Sequence, residues 1–276
     1  MADTLLPGIS HACFGLSYGV ALLLELAQLA WPRRMLRGFA IGFGTAGLLA
    51  QSAYILYHHP SPAAPYGALL LLAWVLAVFY LYGTIHYSRL AWAIFVLPVV
   101  IALVVLSLLF LNAGVANPPL DLPGWFAGEH FWGALHGLMI LLASIGISVG
   151  FLASVMYLVQ ARRLRNKFSP LGGLRLLSLE RLESMNRRAL NAAFPLLTAG
   201  LLLGTVLHPT SQSTADWLSP KILSTVGLWV VFLVVLYLRY AVHVRGSRLA
   251  GLSILAFVLL LLALGTAHPF AVGGSS

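Results

Sequence analysis

The chain is 276 residues long, 60% apolar and only 8% charged, with a mean hydropathy of +0.93. This balance excludes a soluble globular domain, and the continuous apolar runs exclude a β-barrel, whose strands alternate over roughly ten residues. The formal net charge of +9 does not indicate a nucleic-acid partner, because the cations collect in a few loops. The one cysteine, Cys13, leaves no intramolecular disulfide, no CxxC redox pair and no CxxCH attachment for a covalent c-type haem.

In chain order, MADTLLPG has neither a basic n-region nor a small-residue cleavage site, so the first apolar run reads as a retained helix. Runs of about 20 apolar residues, enough to cross a hydrocarbon core, then recur throughout. They predict an all-α polytopic bundle with spans at 8–31, 36–57, 65–84, 90–112, 131–160, 189–208, 221–240 and 249–267. Pro98 and Pro195 fall inside the fourth and sixth spans and predict kinks there. The expected organisation is a four-helix segment over 1–112, an outer loop over 113–130, and a core over 131–276 with a basic loop at 161–187. Within that loop, LLSLERLESM predicts a short amphipathic helix on the membrane surface, with Leu179, Leu182 and Met185 on one side.

The loops after the first, third, fifth and seventh spans hold every Lys and Arg except Lys221. The positive-inside rule makes those loops cytoplasmic and puts both termini on the outer, extracytoplasmic side. Lys221 has two readings: an interfacial lysine snorkelling to headgroups, or a functional cation held on the outer side.

That orientation sorts the nine histidines. His11, His58, His59, His130, His136, His208 and His268 fall on the outer side; only His86 and His243 are inner. Imidazole is a poor lipid-facing group and a good metal ligand. Cysteines and carboxylates are scarce at that depth, which disfavours a mixed-ligand zinc site, whereas paired imidazoles among aromatic residues suit haem iron. His136 and His268 lie at helix ends beside apolar residues and most need a partner. His58 and His59, in HHPSPAAP, read more readily as interfacial, and His11 and His208 are intermediate. Trp125, Phe126, Phe131, Trp132, Trp217 and Phe270 are also outer, where an interfacial aromatic belt accounts for them as well. Gly133, Gly137, Gly146 and Gly150 form two GxxxG pairs, which serve close helix packing or leave room for a flat ring. Glu25 is the one acid inside a span; a polar partner and a functional path are both open to it.

The stretch from His136 to His268 resembles the membrane core of the cytochrome c assembly superfamily, the CcsA and CcmC haem handlers with their HemX-like and YpjD-like relatives. LHGLMILLASIGISVGFLASVMYLVQARRLR is similar to that family's first core helix, which begins with an outer histidine. LLSLERLESMNRRALNAAFPLLTAGLLLGTV resembles its cytoplasmic surface helix and next span. DWLSPKILSTVGLWVVFLVVLYLR resembles its tryptophan-rich segment and the helix that follows, and RLAGLSILAFVLLLLALGTAHPF its last span, ending in a second outer histidine. The resemblance implies His136 and His268 as axial ligands of a non-covalent haem b, with Trp217, Lys221 and Trp132 beside it and Lys221 meeting a propionate. His208, His11 and His58 are further ligand candidates. Ser219 stands where the family carries an aspartate, tryptophans are few, and Arg239 lies near where haem exporters carry a transmembrane histidine. These departures bring the chain closer to the HemX-like and YpjD-like branch.

The expected function is haem handling for cytochrome c maturation in a bacterial cytoplasmic membrane. Its partners would be the bilayer, other assembly or redox-complex subunits and an outer cytochrome c. Two alternatives stand beside it: a haem-containing electron-transfer or structural subunit of a redox complex, and a haem-free HemX-like scaffold contacting partners through the basic loop. No nucleophile–base pair, P-loop or zincin motif points to hydrolytic chemistry.

Overall fold

The structure, a computed structural model, describes residues 11–31, 33–62, 64–86, 92–112, 129–165, 177–206, 220–242 and 246–265. They form eight α-helices: α1 His11–Ala30, α2 Arg34–His58, α3 Pro65–His86, α4 Ala93–Asn112, α5 Glu129–Arg165, α6 Leu179–Val206, α7 Pro220–Tyr240 and α8 Ser247–Gly265. Seven are long and apolar enough to cross a membrane. The exception is α6, which spends its first turns on the polar LERLESMNRR before its apolar run begins. The short surface helix expected there is not a separate element, because LERLESM runs without a break into the following span. Leu182 is fully buried and Met185 packs on the core, so this apolar face is covered by helices of the bundle. Both α4 and α6 continue through their internal prolines.

The helices pack as two rings of four. In the first, α1 packs on α2 and α4, and α3 on α2 and α4; in the second, α5 packs on α6 and α8, and α7 on α6 and α8. The rings join where α3 and α4 meet α5 and where α3 meets α8. Cross-helix contacts fix the directions. Arg37, opening α2, bonds the carbonyl of Thr84 near the end of α3, and His136, early in α5, bonds Gly200 near the end of α6. Neighbouring helices are therefore antiparallel, and the arginines of α2, α5, α6, α7 and α8 share one end of the bundle.

In the first ring the buried positions repeat at three and four residues, the spacing that keeps one helix face inward. On α2 the buried positions are Ala40, Gly44, Gly47, Gln51 and Tyr54, flanked in phase by Arg37 and His58. On α1 they are Phe14, Tyr18 and Ala21, flanked in phase by His11 and Glu25. The glycines of α2 admit tyrosines from both sides: a Cβ on Gly44 would lie 2.6 Å from the Tyr80 ring, and one on Gly47 2.8 Å from that of Tyr18. At the far end of α2, His59 adopts the left-handed cap conformation (φ 43°) and donates its N–H to the Ile55 carbonyl at 2.9 Å.

Candidate cofactor site

His136 sits in the second turn of α5 with its ring against α6. Gly204 makes this possible, since a Cβ there would come within 2.9 Å of His136 Cε1. Nδ1 lies 2.7 Å from the Gly200 carbonyl oxygen. A carbonyl only accepts, so Nδ1 carries the proton and Nε2 presents its lone pair, the arrangement that orients a ligating histidine. No described residue bonds Nε2. Trp132 stands one helical turn earlier on the same side of α5, half exposed and edge-on to Phe131 at 5.6 Å.

The two GxxxG pairs of α5 prove to be different. A Cβ on Gly146 would press on Ala193 Cβ at 2.9 Å and on the Ala189 carbonyl at 3.0 Å; one on Gly150 would touch Leu190 at 3.0 Å. These two glycines pack α5 on α6. Around Gly133 and Gly137, flanking His136, no described atom lies within 4 Å of the built Cβ. The face of α5 that carries Gly133 and Gly137 is thus free of packing by other described helices, whereas the His136 ring itself lies against Gly200 and Gly204 of α6.

His268, Trp217 and His208 lie outside the described residues, as do His243 and the proposed propionate end of Lys221, whose backbone opens α7 just after Pro220. In sequence, His268 follows the end of α8, the helix that packs on α5. His11 and His58 do come together, but with each other. His11 Nε2 lies 2.7 Å from the Tyr66 hydroxyl, Tyr66 donates to the Tyr54 hydroxyl at 2.9 Å, and the His58 ring stacks on Tyr54 at 4.0 Å. This cluster belongs to the first ring, and no described bond or ring contact joins it to His136. Among the described residues, no three His, Cys, Asp or Glu side chains converge on a metal position.

At the arginine-rich end of the second ring, Asn186 forms a hub. Its Nδ2 donates toward the Gly150 carbonyl (2.9 Å), Ser154 Oγ (2.9 Å) and Ser253 Oγ (3.0 Å), while its Oδ1 accepts from Arg239 at 2.8 Å. One amide therefore ties α5, α6, α7 and α8 together. Arg239 is spent here on Asn186. Sequence reading passed over Asn186 because nothing in NRRAL marks it as buried; its phase with Leu182 and Leu190, both buried, was the available signal.

The donor set fits haem better than a hard or thiophilic metal: one oriented neutral imidazole, aromatic neighbours, a bare helix face and no described cluster of carboxylates or thiolates. The fold defines a multi-pass helical membrane protein, with His136 held through Nδ1 at one end of its second ring. The chain belongs to the cytochrome c assembly protein family, which it matches over residues 63–267. The match begins before α3, so the family signature extends to α3 and α4, well before the His136 at which the sequence resemblance started. Similar proteins are cytochrome c biogenesis protein CcsA of Guillardia theta, 27% identical over 46% of this chain and 48% of the relative, and protein HemX of Bacillus subtilis (strain 168), 26% identical over 46% of each. The chain thus spans about half the length of the curated relatives it matches. No solved structure matches it.

Proposed function

We propose that the protein binds haem b at the histidine end of its second ring and handles it during cytochrome c maturation. The observation that carries this reading is the hydrogen bond from His136 Nδ1 to the Gly200 carbonyl, which leaves Nε2 as the ring's ligating nitrogen. His136 and His268, which follows α8 in sequence, would hold the haem iron, with Trp132 and Trp217 as its aromatic neighbours. Lys221 meets a propionate. Bound there, haem would supply a redox-active iron centre; the chain's own part is to orient the imidazoles, exclude water with aromatic side chains and neutralise a carboxylate. The positive-inside rule puts this end on the outer face of a bacterial cytoplasmic membrane, where an apocytochrome or an assembly partner would meet it.

The test is an absorption spectrum of detergent-purified protein, oxidised and dithionite-reduced, for wild type, His136→Ala and His268→Ala. A b-type spectrum in wild type that collapses in both variants is the expected result. Wild-type protein without a Soret band, expressed with ample haem, rules the reading out.

A further inference from the structure

The first ring carries polar side chains at successive depths of one interior face, in separate hydrogen-bonded groups that together form a seam and that haem binding does not use. At the histidine end, His11, Tyr66 and Tyr54 are hydrogen-bonded in series at 2.7 and 2.9 Å. In the middle, Tyr18 donates to Gln51 Oε1 at 2.7 Å, and Gln51 Nε2 donates to the Leu70 carbonyl at 3.1 Å. Tyr54 and Gln51 are neighbours on one face of α2. At the arginine-rich end, Tyr80 donates to the Ala40 carbonyl at 3.4 Å and Arg37 to the Thr84 carbonyl at 2.7 Å, and Glu25 follows Tyr18 and Ala21 in phase on the inward face of α1. Three buried atoms here have no hydrogen-bond partner: Glu25 Oε1, Gln28 Nε2 and Thr84 Oγ1. The remaining helix of the ring, α4, contributes no titratable side chain.

An apolar bundle keeps a carboxyl, an imidazole and four phenols in register only at a cost, and ionisable groups inside a membrane ordinarily mark ion or proton routes. Carboxyl, imidazole and hydroxyl groups each both accept and donate, so a proton can pass between them by short hops without an open pore. Gln51 differs. Both ends of its amide are engaged, and an amide does not relay protons at low cost, so it closes the seam at mid-depth.

We propose that the first four helices carry protons between the two membrane faces along this seam. Glu25 loads the proton at the arginine-rich end, His11 exchanges it at the other, and Gln51 is the seal that must turn aside for passage. Each proton that loads Glu25 is matched by one that leaves His11, so the net movement is one positive charge per proton.

The experiment uses the full chain in liposomes enclosing a pH-sensitive dye, with a potassium gradient and valinomycin to balance charge. Wild type should acidify or alkalinise the lumen several-fold faster than protein-free vesicles. Gln51→Glu should be faster still, because a carboxyl can relay, and Glu25→Gln should return either background to the protein-free rate. Size-exclusion profile and helical circular dichroism establish that each variant is folded. Folded Glu25→Gln protein with undiminished flux overturns the proposal, as does wild-type flux at the protein-free rate, whether or not Gln51→Glu raises it. Because the readout needs no haem, a failure of the haem site leaves it intact.

Discussion

The two rings use their few polar groups in opposite ways. In the first, polar side chains are strung along the whole depth, from His11 and Tyr66 through Tyr18 and Gln51 to Glu25 and Arg37. In the second, among the described residues, the ionisable groups are confined to the ends, His136 at one and the Asn186–Arg239 hub at the other, and the middle holds only neutral polar groups, Ser144, Ser148 and the Thr198–Trp229 pair, among Ile147, Leu197, Leu228 and Phe232. A cofactor site asks for one prepared end and a rigid, dry middle behind it. A seam asks for continuity. The same small bundle geometry thus yields two different interiors, according to where the three-and-four stripe carries polar residues.

The largest effect that separates the rings is on haem. His136→Ala should lower haem content by at least roughly tenfold, since even supporting contacts to metal ligands are worth that much. His11→Phe should leave the spectrum unchanged, because its Nε2 is held by Tyr66 within the first ring. Pyridine haemochrome assays of both variants decide the matter. Equal losses would mean that the rings share one site and that the comparison fails.

Next comes the hub. Asn186→Leu leaves Arg239 and two serine hydroxyls without their shared partner, for an expected loss of about 1–3 kcal/mol. Thermal unfolding in detergent should record it, while haem content at the opposite end stays near wild type. Haem loss as large as that of His136→Ala would show that the two ends are not independent.

How much of this could be read from the sequence differs between the rings for the same reason. The apolar runs announce the helices, because bilayer thickness sets their length. The basic loops likewise announce which helix ends lie together. His136 was legible because a histidine beside LHGLM needs a partner wherever it falls. Its tautomer was not, because that depends on the Gly200 carbonyl, 64 residues away in sequence. The seam was written openly, as His11, Tyr18 and Glu25 on α1 and Gln51, Tyr54 and His58 on α2, all in phase. Read singly, however, Tyr54 and Tyr66 near helix ends are accounted for by an interfacial belt, and Tyr18 and Tyr80 by core packing; only the pairing of α1 with α2 and α3 brings them onto one line. The division of the α5 glycines was also beyond reach, since identical GxxxG spacing serves a packed face at Gly146 and Gly150 and a bare one at Gly133 and Gly137.

A smaller effect tests the packing of the seam. Gly47→Ala places a Cβ 2.8 Å from the Tyr18 ring. Overpacking of this kind costs about 1–3 kcal/mol, and the better helix propensity of alanine returns about 1 kcal/mol. The expected net loss is modest and should appear as a lower unfolding temperature. Gly19→Ala, whose Cβ meets nothing within 4 Å, should show none.

The smallest change in stability is the most informative about the cofactor. Gly137→Ala adds a methyl group to a face where no described atom lies within 4 Å, so stability should hold or rise by up to about 1 kcal/mol. Gly137→Leu carries the test further: if haem rests on the uncovered glycine face next to His136, a leucine there takes up its space, so the haem band should fall while the unfolding temperature barely moves. Gly146→Leu should do the reverse, because its side chain would be driven into Ala193 and the Ala189 carbonyl, separating α5 from α6. Haem lost without stability at Gly137, against stability lost first at Gly146, would assign one half of the glycine row to the cofactor and the other to the fold. If Gly137→Leu binds haem as wild type does, the haem lies on another side of His136, and the bare face needs a different occupant.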